Sequence, residues 1–337
     1  MNIHYHCSDY ISHRRAGEAY MTCLAAMGHT LVADSRESDL VIMHEEPFRY
    51  SSTMAAKPVR FGGKYVGYAV WETPELPAAF VEGVSRPDAI WTCSEFSRNA
   101  FAPHARTFVL PHVVERLRPA AHDMDWMAAR LGITELRREA RDILYFYTIV
   151  DTVNPRKNIE TLLAAFAMAF PGEEEKVRLV VKQYREPQNL NQFSHVIDIP
   201  EMLSSGQLAA LHAVCDCYVS AHHAEAWGLP LSEAMAIGNP VIATGYSGNM
   251  EFMDAKNSFP AAYTVHTVSE NMCRALPNLF SPEMTWANID VPDLVRLLRH
   301  VRTRPPGPDF RSQTVSSMRR FSPEGIQKRL TALLESV

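Results

Sequence analysis

The 337-residue chain lacks the long apolar runs and the dense basic segments of membrane-spanning and nucleic-acid-coating proteins. None of its apolar runs approaches the roughly 20 residues that span a bilayer. The formal net charge is -5 and no pronounced Lys/Arg run occurs, which argues against a strongly cationic nucleic-acid surface. Residues 1–6 have neither the basic nor the apolar region of a signal peptide. We therefore expect a cytoplasmic protein, which can still contact a membrane peripherally.

Cysteine is scarce, with six residues scattered so widely that they predict no disulfide framework. Cys215 and Cys217 lie near three histidines, His212, His222 and His223. Their spacing matches no standard structural zinc pattern, and a thiol inside a predicted strand is ordinarily a buried free cysteine. We therefore expect no metal site here.

Apolar residues make up 47% of the chain and charged residues 21%, as in an ordinary soluble globular protein. The length favours two domains. Strands and helices alternate in both halves, which predicts an α/β fold with parallel sheets covered on both faces. The predicted strands are 2–6, 29–33, 39–43, 65–70, 88–91, 107–110, 143–150, 177–181, 195–199, 217–221 and 241–244. We divide the chain into an N-terminal domain (1–117), a charged connecting segment (118–142) and a C-terminal domain (143–320).

The segment from Glu225 to Glu233 carries the strongest functional signal. Pro230 suits the first turn of a helix, which places the N–H groups of Gly228 and Leu229 at a helix N-terminus, a favourable position for a phosphate. Glu225 precedes that helix and follows a predicted strand, where ligands of open α/β sheets gather. Hydroxyl groups need carboxylate acceptors and a diphosphate needs N–H donors, so this arrangement suits a sugar nucleotide.

The two glutamates, eight residues apart, resemble the E-x7-E signature of retaining glycosyltransferases with the GT-B architecture, particularly glycosyltransferase family 4. Further segments are similar to the same family in the same order along roughly residues 65–330. They are 70–77, 90–101, 154–166, 247–252 and 321–324. The resemblance implies two Rossmann-like domains facing each other across a cleft, with a C-terminal helix (321–337) that crosses back to the N-terminal domain.

The resemblance also implies a role for each matching residue on the donor side. Glu225 anchors the transferring sugar, Glu233 binds the nucleotide ribose, and Lys157 meets the diphosphate. The remaining donor-side candidates are Arg156, Ile199, Trp227, Gly228, Leu229 and Pro230. The chain differs from many relatives by having Asp151 in place of a second phosphate-binding Arg, and Ala226 in place of a Gly.

The acceptor side of the cleft is expected to come from loops that follow N-terminal strands. His44 and Glu72 are candidates for the chemistry, and Glu45 and Trp71 for acceptor binding, because each follows a predicted strand. Relatives commonly have His near the position of Glu72. His112 resembles the family's turn towards the hinge.

The predicted activity is transfer of a sugar, with retention, from a nucleotide diphosphate to an acceptor hydroxyl. A UDP- or GDP-linked sugar is the expected donor, and no divalent metal or other cofactor is expected. The sequence does not distinguish between a glycan, a lipid, a protein, a small molecule and a modified base as the acceptor. Two alternatives also stay open: a nonhydrolysing sugar-nucleotide epimerase, and a catalytically silent module that binds a sugar nucleotide or glycan.

Overall fold

Two parallel six-stranded sheets form the framework of the protein. The structure is a computed structural model that describes residues 1–172, 174–190 and 192–337. The first sheet has the order β2-β1-β3-β4-β5-β6 and the second has the order β12-β11-β10-β7-β8-β9. The strands of the first sheet are β1 Asn2–Cys7, β2 Thr30–Leu31, β3 Leu40–His44, β4 Lys64–Tyr68, β5 Ala89–Thr92 and β6 Thr107–Val109. Those of the second are β7 Leu144–Val150, β8 Val177–Gln183, β9 Val196–Ile199, β10 Cys217–Ser220, β11 Val241–Thr244 and β12 Phe259–Ala261.

Helices cover both sheets, and the strands β3, β5, β10 and β11 are buried along their whole length, as the apolar runs predict, whereas the edge strand β2 is exposed. The helices are α1 Ile11–Ala26, α2 Tyr50–Ala56, α3 Ala78–Val84, α4 Glu95–Phe101, α5 Ala121–Leu131, α6 Ile159–Ala169, α7 Ser205–Val214, α8 Leu229–Ala236, α9 Glu270–Ala275, α10 Val291–Thr303, α11 Pro308–Met318 and α12 Pro323–Ser336. Among the residues that the structure describes, no helix is both long and apolar enough to cross a bilayer.

The final helix packs on the N-terminal domain, and the segment predicted to connect the domains packs on the C-terminal domain. Helix α12 packs on α1 of the N-terminal domain, with Leu330 fully buried and the Arg329 guanidinium donating to the carbonyl of Val109 at 2.9 Å. Helix α5, within the predicted connecting segment 118–142, packs on α7 of the C-terminal domain. Arg130 of α5 holds the end of β9 by donating to the carbonyl of Asp198 at 2.7 Å.

A third element was not predicted: an antiparallel pair, β13 Tyr263–Thr267 and β14 Thr285–Ile289, with α9 between its strands. We call residues 263–289 the excursion, because it leaves the C-terminal sheet and packs on the N-terminal domain. Its Phe280 ring lies 4.9 Å from that of Trp71. Its Thr285 donates to the Glu75 carboxylate from the backbone N–H at 3.0 Å and from the hydroxyl at 3.1 Å.

Candidate active site

The carboxyl ends of the strands in both sheets face a cleft that holds a cavity of about 450 Å³. Loops after β7, β8 and β10 line it from the C-terminal domain, and loops after β1, β3 and β4 line it from the N-terminal domain. The excursion closes one end with Met272, Leu276, Leu279 and Phe280. The edges of both domains at which parallel strands end therefore meet in one place, where such folds bind ligands.

Glu225 lines the cavity from the C-terminal domain and is buried between two cations. Its Oε1 accepts from the Lys157 Nζ at 2.5 Å, and its Oε2 accepts from an Arg156 guanidinium nitrogen at 3.1 Å. Burial alone favours the neutral acid, but Lys157 and Arg156 outweigh it and hold the pKa of Glu225 well below its usual range. The residue is therefore a fixed anion at the carboxyl end of β10.

The loop that carries Glu225 is held by the segment after β11. The Glu225 N–H donates to the Ser247 hydroxyl at 2.8 Å, and the Gly248 N–H donates to the Glu225 carbonyl at 2.7 Å. A Cβ at Gly248 would lie 1.7 Å from the carbonyl oxygen of Ala226, so only glycine permits this approach. The family-like segment 247–252 thus fixes the position of the Glu225 loop.

Arg156 and Lys157 reach the same carboxylate because they do not lie on a regular α-helix. Residues Pro155–Lys157 form a single 3-10 turn, and Asn158, at φ 53°, redirects the chain before α6 begins. On an α-helix, neighbouring side chains would point about 100° apart. Arg156 also contacts Glu72 of the N-terminal domain at 3.2 Å, so its guanidinium joins the two domains across the cleft.

Lys157 is a partly enclosed cation that faces the cavity, with 23% of its side chain exposed. Burial and the neighbouring Arg156 lower the pKa of Lys157, whereas Glu225 favours the charged form. An ammonium in this position can serve as a point charge for an anionic ligand.

The start of α8 lines the cavity from the C-terminal domain. Gly228 caps the helix at φ 91°, a left-handed conformation that glycine adopts without strain. Gly228 and Leu229 lie at the N-terminus of the helix, so no helix carbonyl lies one turn earlier to accept from their N–H groups. Pro230 carries no N–H. All three residues line the cavity.

Trp227 and Ile199 are core residues at the margin of the site. The Trp227 ring is 2% exposed, packs on Phe252 and Phe321, and donates its N–H to Ser232 at 3.1 Å. Ile199 is fully buried at the end of β9 and does not line the cavity. Trp227 therefore lines the cavity from the core, whereas Ile199, predicted on the donor side, does not reach it.

Glu233 lies one turn inside α8 and is 8% exposed. Its carboxylate accepts from the Arg15 guanidinium of the N-terminal domain, and its Oε2 lies 3.5 Å from the Nε2 of His212. It lines a neighbouring hollow with Arg15 and His112, and not the cavity that contains Glu225. Glu225 and Glu233 therefore carry separate ion-pair networks, each joined to the N-terminal domain.

The structure separates the four residues predicted for the acceptor side into two pairs. Trp71 and Glu72 line the cavity, although the Trp71 ring is 3% exposed and its N–H is bonded to Thr73. His44 and Glu45 do not reach the cavity, which corrects the expectation that they face the acceptor. His44 is packed against Tyr68, and the Glu45 carboxylate points to His6 at 3.5 Å.

Among the cavity residues that the sequence analysis missed, Glu46 and Arg185 carry charged groups. Glu46, directly after Glu45, lines the cavity with a half-buried side chain. Arg185 follows β8, lines the same cavity, and lies 3.4 Å from the Asp151 carboxylate. It also donates to the hydroxyl of Tyr10 at 3.2 Å and has a left-handed backbone at φ 56°. A cation thus stands beside the position at which many relatives have Arg and this chain has Asp.

Within the described ranges, no group of three or more His, Cys, Asp or Glu side chains is arranged to hold a metal ion. Cys215 and Cys217 are buried free thiols, and burial raises the pKa of both.

Comparison with solved structures defines the class of fold. Anabaena Alr3699/HepE, solved in complex with UDP and glucose, is 15% identical and superposes with a TM-score of 0.62 over 96% of this chain and 83% of that one. The pneumococcal O-GlcNAc transferase GtfA, solved with UDP and GlcNAc, gives a TM-score of 0.59 at 12% identity, over 96% of this chain and 60% of that one. These likenesses and the two facing parallel sheets confirm the GT-B fold.

Part of the sequence is also similar to known glycosyltransferases. Residues 138–271 match the sequence model of "Glycosyl transferases group 1". A curated relative, alpha-monoglucosyldiacylglycerol synthase of Streptococcus pneumoniae (strain ATCC BAA-255 / R6), is 35% identical over 101 residues. That match covers 28% of this chain and 22% of the relative. The predicted resemblance to group 1 glycosyltransferases is confirmed.

Proposed function

We propose that the protein transfers a sugar, with retention, from a nucleotide diphosphate to the hydroxyl of an acceptor bound in the cleft. One observation carries this proposal: Glu225, Lys157 and the start of α8 converge on one cavity between two Rossmann-like domains. The neighbours solved with UDP and a sugar support a nucleotide-sugar donor, for which UDP is the first choice and GDP the second.

The donor diphosphate is proposed to lie between Lys157 and the amides of Gly228 and Leu229. Arg185 is proposed to add a second cation from the loop after β8, held in position by Asp151. Glu225 would then accept hydrogen bonds from hydroxyl groups of the sugar. Glu233 would accept hydrogen bonds from the ribose hydroxyls after its ion pair with Arg15 breaks. Arg156, already bonded to Glu225 and Glu72, is proposed to position Glu225 without contacting the phosphates.

In the proposed step the bond from the anomeric carbon to the diphosphate oxygen breaks, and the acceptor oxygen bonds to the same face of that carbon. The acceptor proton passes to the departing diphosphate oxygen, so the reaction needs no protein base. Lys157, Arg185 and the helix amides stabilise the negative charge of the leaving group. The protein's other contribution is to hold both substrates in a reactive orientation.

Product analysis tests the activity against its alternatives. The protein is incubated with a panel of UDP- and GDP-sugars, with and without candidate acceptors, and the products are separated. A new glycoside with the donor's anomeric configuration supports the proposal. Isomerised donor without acceptor would instead identify an epimerase, and unchanged donor despite tight binding of the nucleotide would identify a silent binding module.

Donor turnover is expected to survive excess chelator. Lys157, Arg185 and the amides of α8 take the place that a divalent cation has in enzymes with an Asp-x-Asp motif beside a strand. Asp123 and Asp125 do form such a motif, but it lies on helix α5. The measurement is the rate of nucleotide release with and without EDTA. Loss of activity that manganese restores would refute the metal-independent step.

Lys157→Ala is expected to reduce kcat/KM for the donor at least about tenfold, because a charge-assisted contact contributes roughly 1.5–3 kcal/mol. Arg185→Gln should act in the same direction. Both variants should weaken UDP or GDP binding more than binding of the corresponding monophosphate, since the cations are proposed to meet the diphosphate. Lys176→Ala, which removes a lysine paired with Asp142 outside the cavity, is the control. Unchanged kinetics in Lys157→Ala would remove this residue from the site.

A further inference from the structure

The side of the cleft formed by the N-terminal domain and the excursion combines two carboxylates with an apolar wall. Glu46 and Glu72 line it from the N-terminal domain. Val70, beside them, and Leu276 and Leu279 of the excursion line the same cavity. Polar and apolar surface therefore meet where the acceptor must lie if the proposed function holds.

Glu46 has the geometry of a group that binds a ligand. It follows β3 and precedes the turn Pro47–Arg49, so its side chain points into the cavity while that of Glu45 turns to His6. Its carboxylate lies 4.0 Å from the Nε2 of His13, too far for a hydrogen bond. Burial, with Glu72 nearby, raises the pKa of Glu46 to about 7. This carboxylate can accept a hydrogen bond from a hydroxyl without first breaking a strong ion pair.

The apolar wall is fixed and partly uncovered. Phe280 packs on Trp71 and the Glu75 carboxylate binds Thr285, so the excursion is held to the N-terminal domain at two points. Leu276 nevertheless remains 40% exposed at the cavity, and Leu279 is half-buried. Exposed leucine beside a polar pocket costs hydration free energy, which an apolar part of a ligand would recover.

We propose that this side of the cleft binds an acceptor in which a hydroxyl group lies next to an apolar group. Glu46 accepts the hydrogen bond of a hydroxyl, and Val70, Leu276 and Leu279 cover the apolar group. This inference rests on the proposed function and specifies its acceptor class as an amphipathic alcohol or glycoside, as opposed to a wholly polar sugar.

Binding of simple alkyl glycosides tests the proposal even before the natural acceptor is known. The protein, saturated with UDP or GDP, is titrated calorimetrically with methyl and hexyl β-D-glucopyranoside. The hexyl compound should bind at least about tenfold more tightly, which requires burial of about two of its extra methylene groups. Equal affinity, or no binding of either compound, would overturn the proposal.

Two pairs of variants test which residues bind the alkyl chain and which bind the glycoside hydroxyl. Leu276→Ser should weaken hexyl glucoside binding severalfold and leave methyl glucoside binding unchanged, whereas Leu136→Ser, at a leucine 42% exposed outside the cavity, should change neither. Glu46→Gln should weaken both glycosides and leave UDP or GDP affinity unchanged. Glu135→Gln is its control, because the side chains of Glu46 and Glu135 are both 38% exposed.

The outcome also separates this proposal from the proposed function. If no nucleotide diphosphate binds and no donor is turned over, the proposed function fails. If the donor is turned over but its acceptors show no preference for apolar groups, only the acceptor assignment fails. A fall in nucleotide affinity in Glu46→Gln would place Glu46 on the donor side and would overturn its acceptor role.

Discussion

Glu225→Gln is expected to lower kcat by roughly 10²-fold, the scale of losing one preorganised electrostatic contact at the reacting centre. Positive charge develops at the anomeric carbon as the diphosphate departs, and a fixed anion beside the sugar stabilises that charge. Lys157 and Arg156 lower the pKa of Glu225, so the negative charge is present at neutral pH. A glutamine of the same shape keeps the volume and loses the charge.

Glu233→Gln provides the contrast. A ribose contact changes little as the glycosidic bond breaks, so its loss should raise the donor KM and spare kcat. The measurements are steady-state kinetics with the donor and titration with the free nucleotide diphosphate, which Glu225→Gln should still bind. If Glu225→Gln abolishes binding of the free nucleotide, or if both variants lose only thermal stability, the two roles are wrong.

The stability of both variants should be measured together with their kinetics, because each glutamate takes part in ion pairs that link the two domains. Glu225 holds Arg156, which reaches Glu72, and Glu233 holds Arg15. Breaking a buried ion pair by removing one partner costs about 3–5 kcal/mol in well-buried cases. Kinetics should therefore be measured well below the unfolding temperature of each variant, so that kcat reflects folded enzyme.

The protein is expected to lose stability steeply between about pH 6.5 and pH 5, before most carboxylates titrate. Burial lowers the pKa of four histidines that stand in or beside the cleft. The pKa falls to about 4 for His13 and to about 3 for His112 and His222, and it lies well below its usual range for His44.

The direction of this stability change follows from the number of protons bound by the folded and unfolded states. Below about pH 6.5 the unfolded chain binds a proton on each imidazole, whereas the folded protein keeps these four neutral until the pH falls much further. Acid therefore favours the unfolded state throughout that interval. Each such histidine contributes a loss of about 2 kcal/mol by pH 5, if the folded protein does not relax around it.

Urea unfolding at several pH values measures this effect. His44→Gln should reduce the slope of the unfolding free energy against pH by one proton, because His44 is 1% exposed and packed against Tyr68. His122→Gln, at a side chain 84% exposed, should leave the slope unchanged. A free energy of unfolding that stays constant from pH 7 to pH 5 would contradict neutral burial of these rings.

The sequence allowed prediction of the framework because apolar runs and turn residues repeat in a regular order. The predicted strands 143–150, 217–221 and 241–244 appear as β7, β10 and β11, and α8 begins after Gly228. Local spacing sufficed here, since each functional loop follows a buried strand directly. The convergence of Lys157 and Glu225 follows from the adjacency of β7 and β10 in the sheet.

Three features could not be predicted from local patterns. Past the end of β3 the chain turns at Pro47, so the alternation of side chains no longer tells which of Glu45 and Glu46 faces the cleft. The contact of Arg185 with Asp151 joins loops 34 residues apart in the chain. Strand β13 is exposed along its length and therefore lacks the apolar alternation by which strands are recognised.

The return of α12 to the N-terminal domain has a consequence for protein engineering. This domain is assembled from two distant pieces of chain, because the buried face of α12 packs on α1 and Arg329 bonds to Val109 at the end of β6. A chimaera that exchanges acceptor domains between relatives therefore needs two junctions, one before α5 and one between α11 and α12. A single junction in the connecting segment would pair α1 with the final helix of another protein. The mismatched helix face would leave apolar surface exposed, and the chimaera would aggregate before its acceptor specificity could be measured.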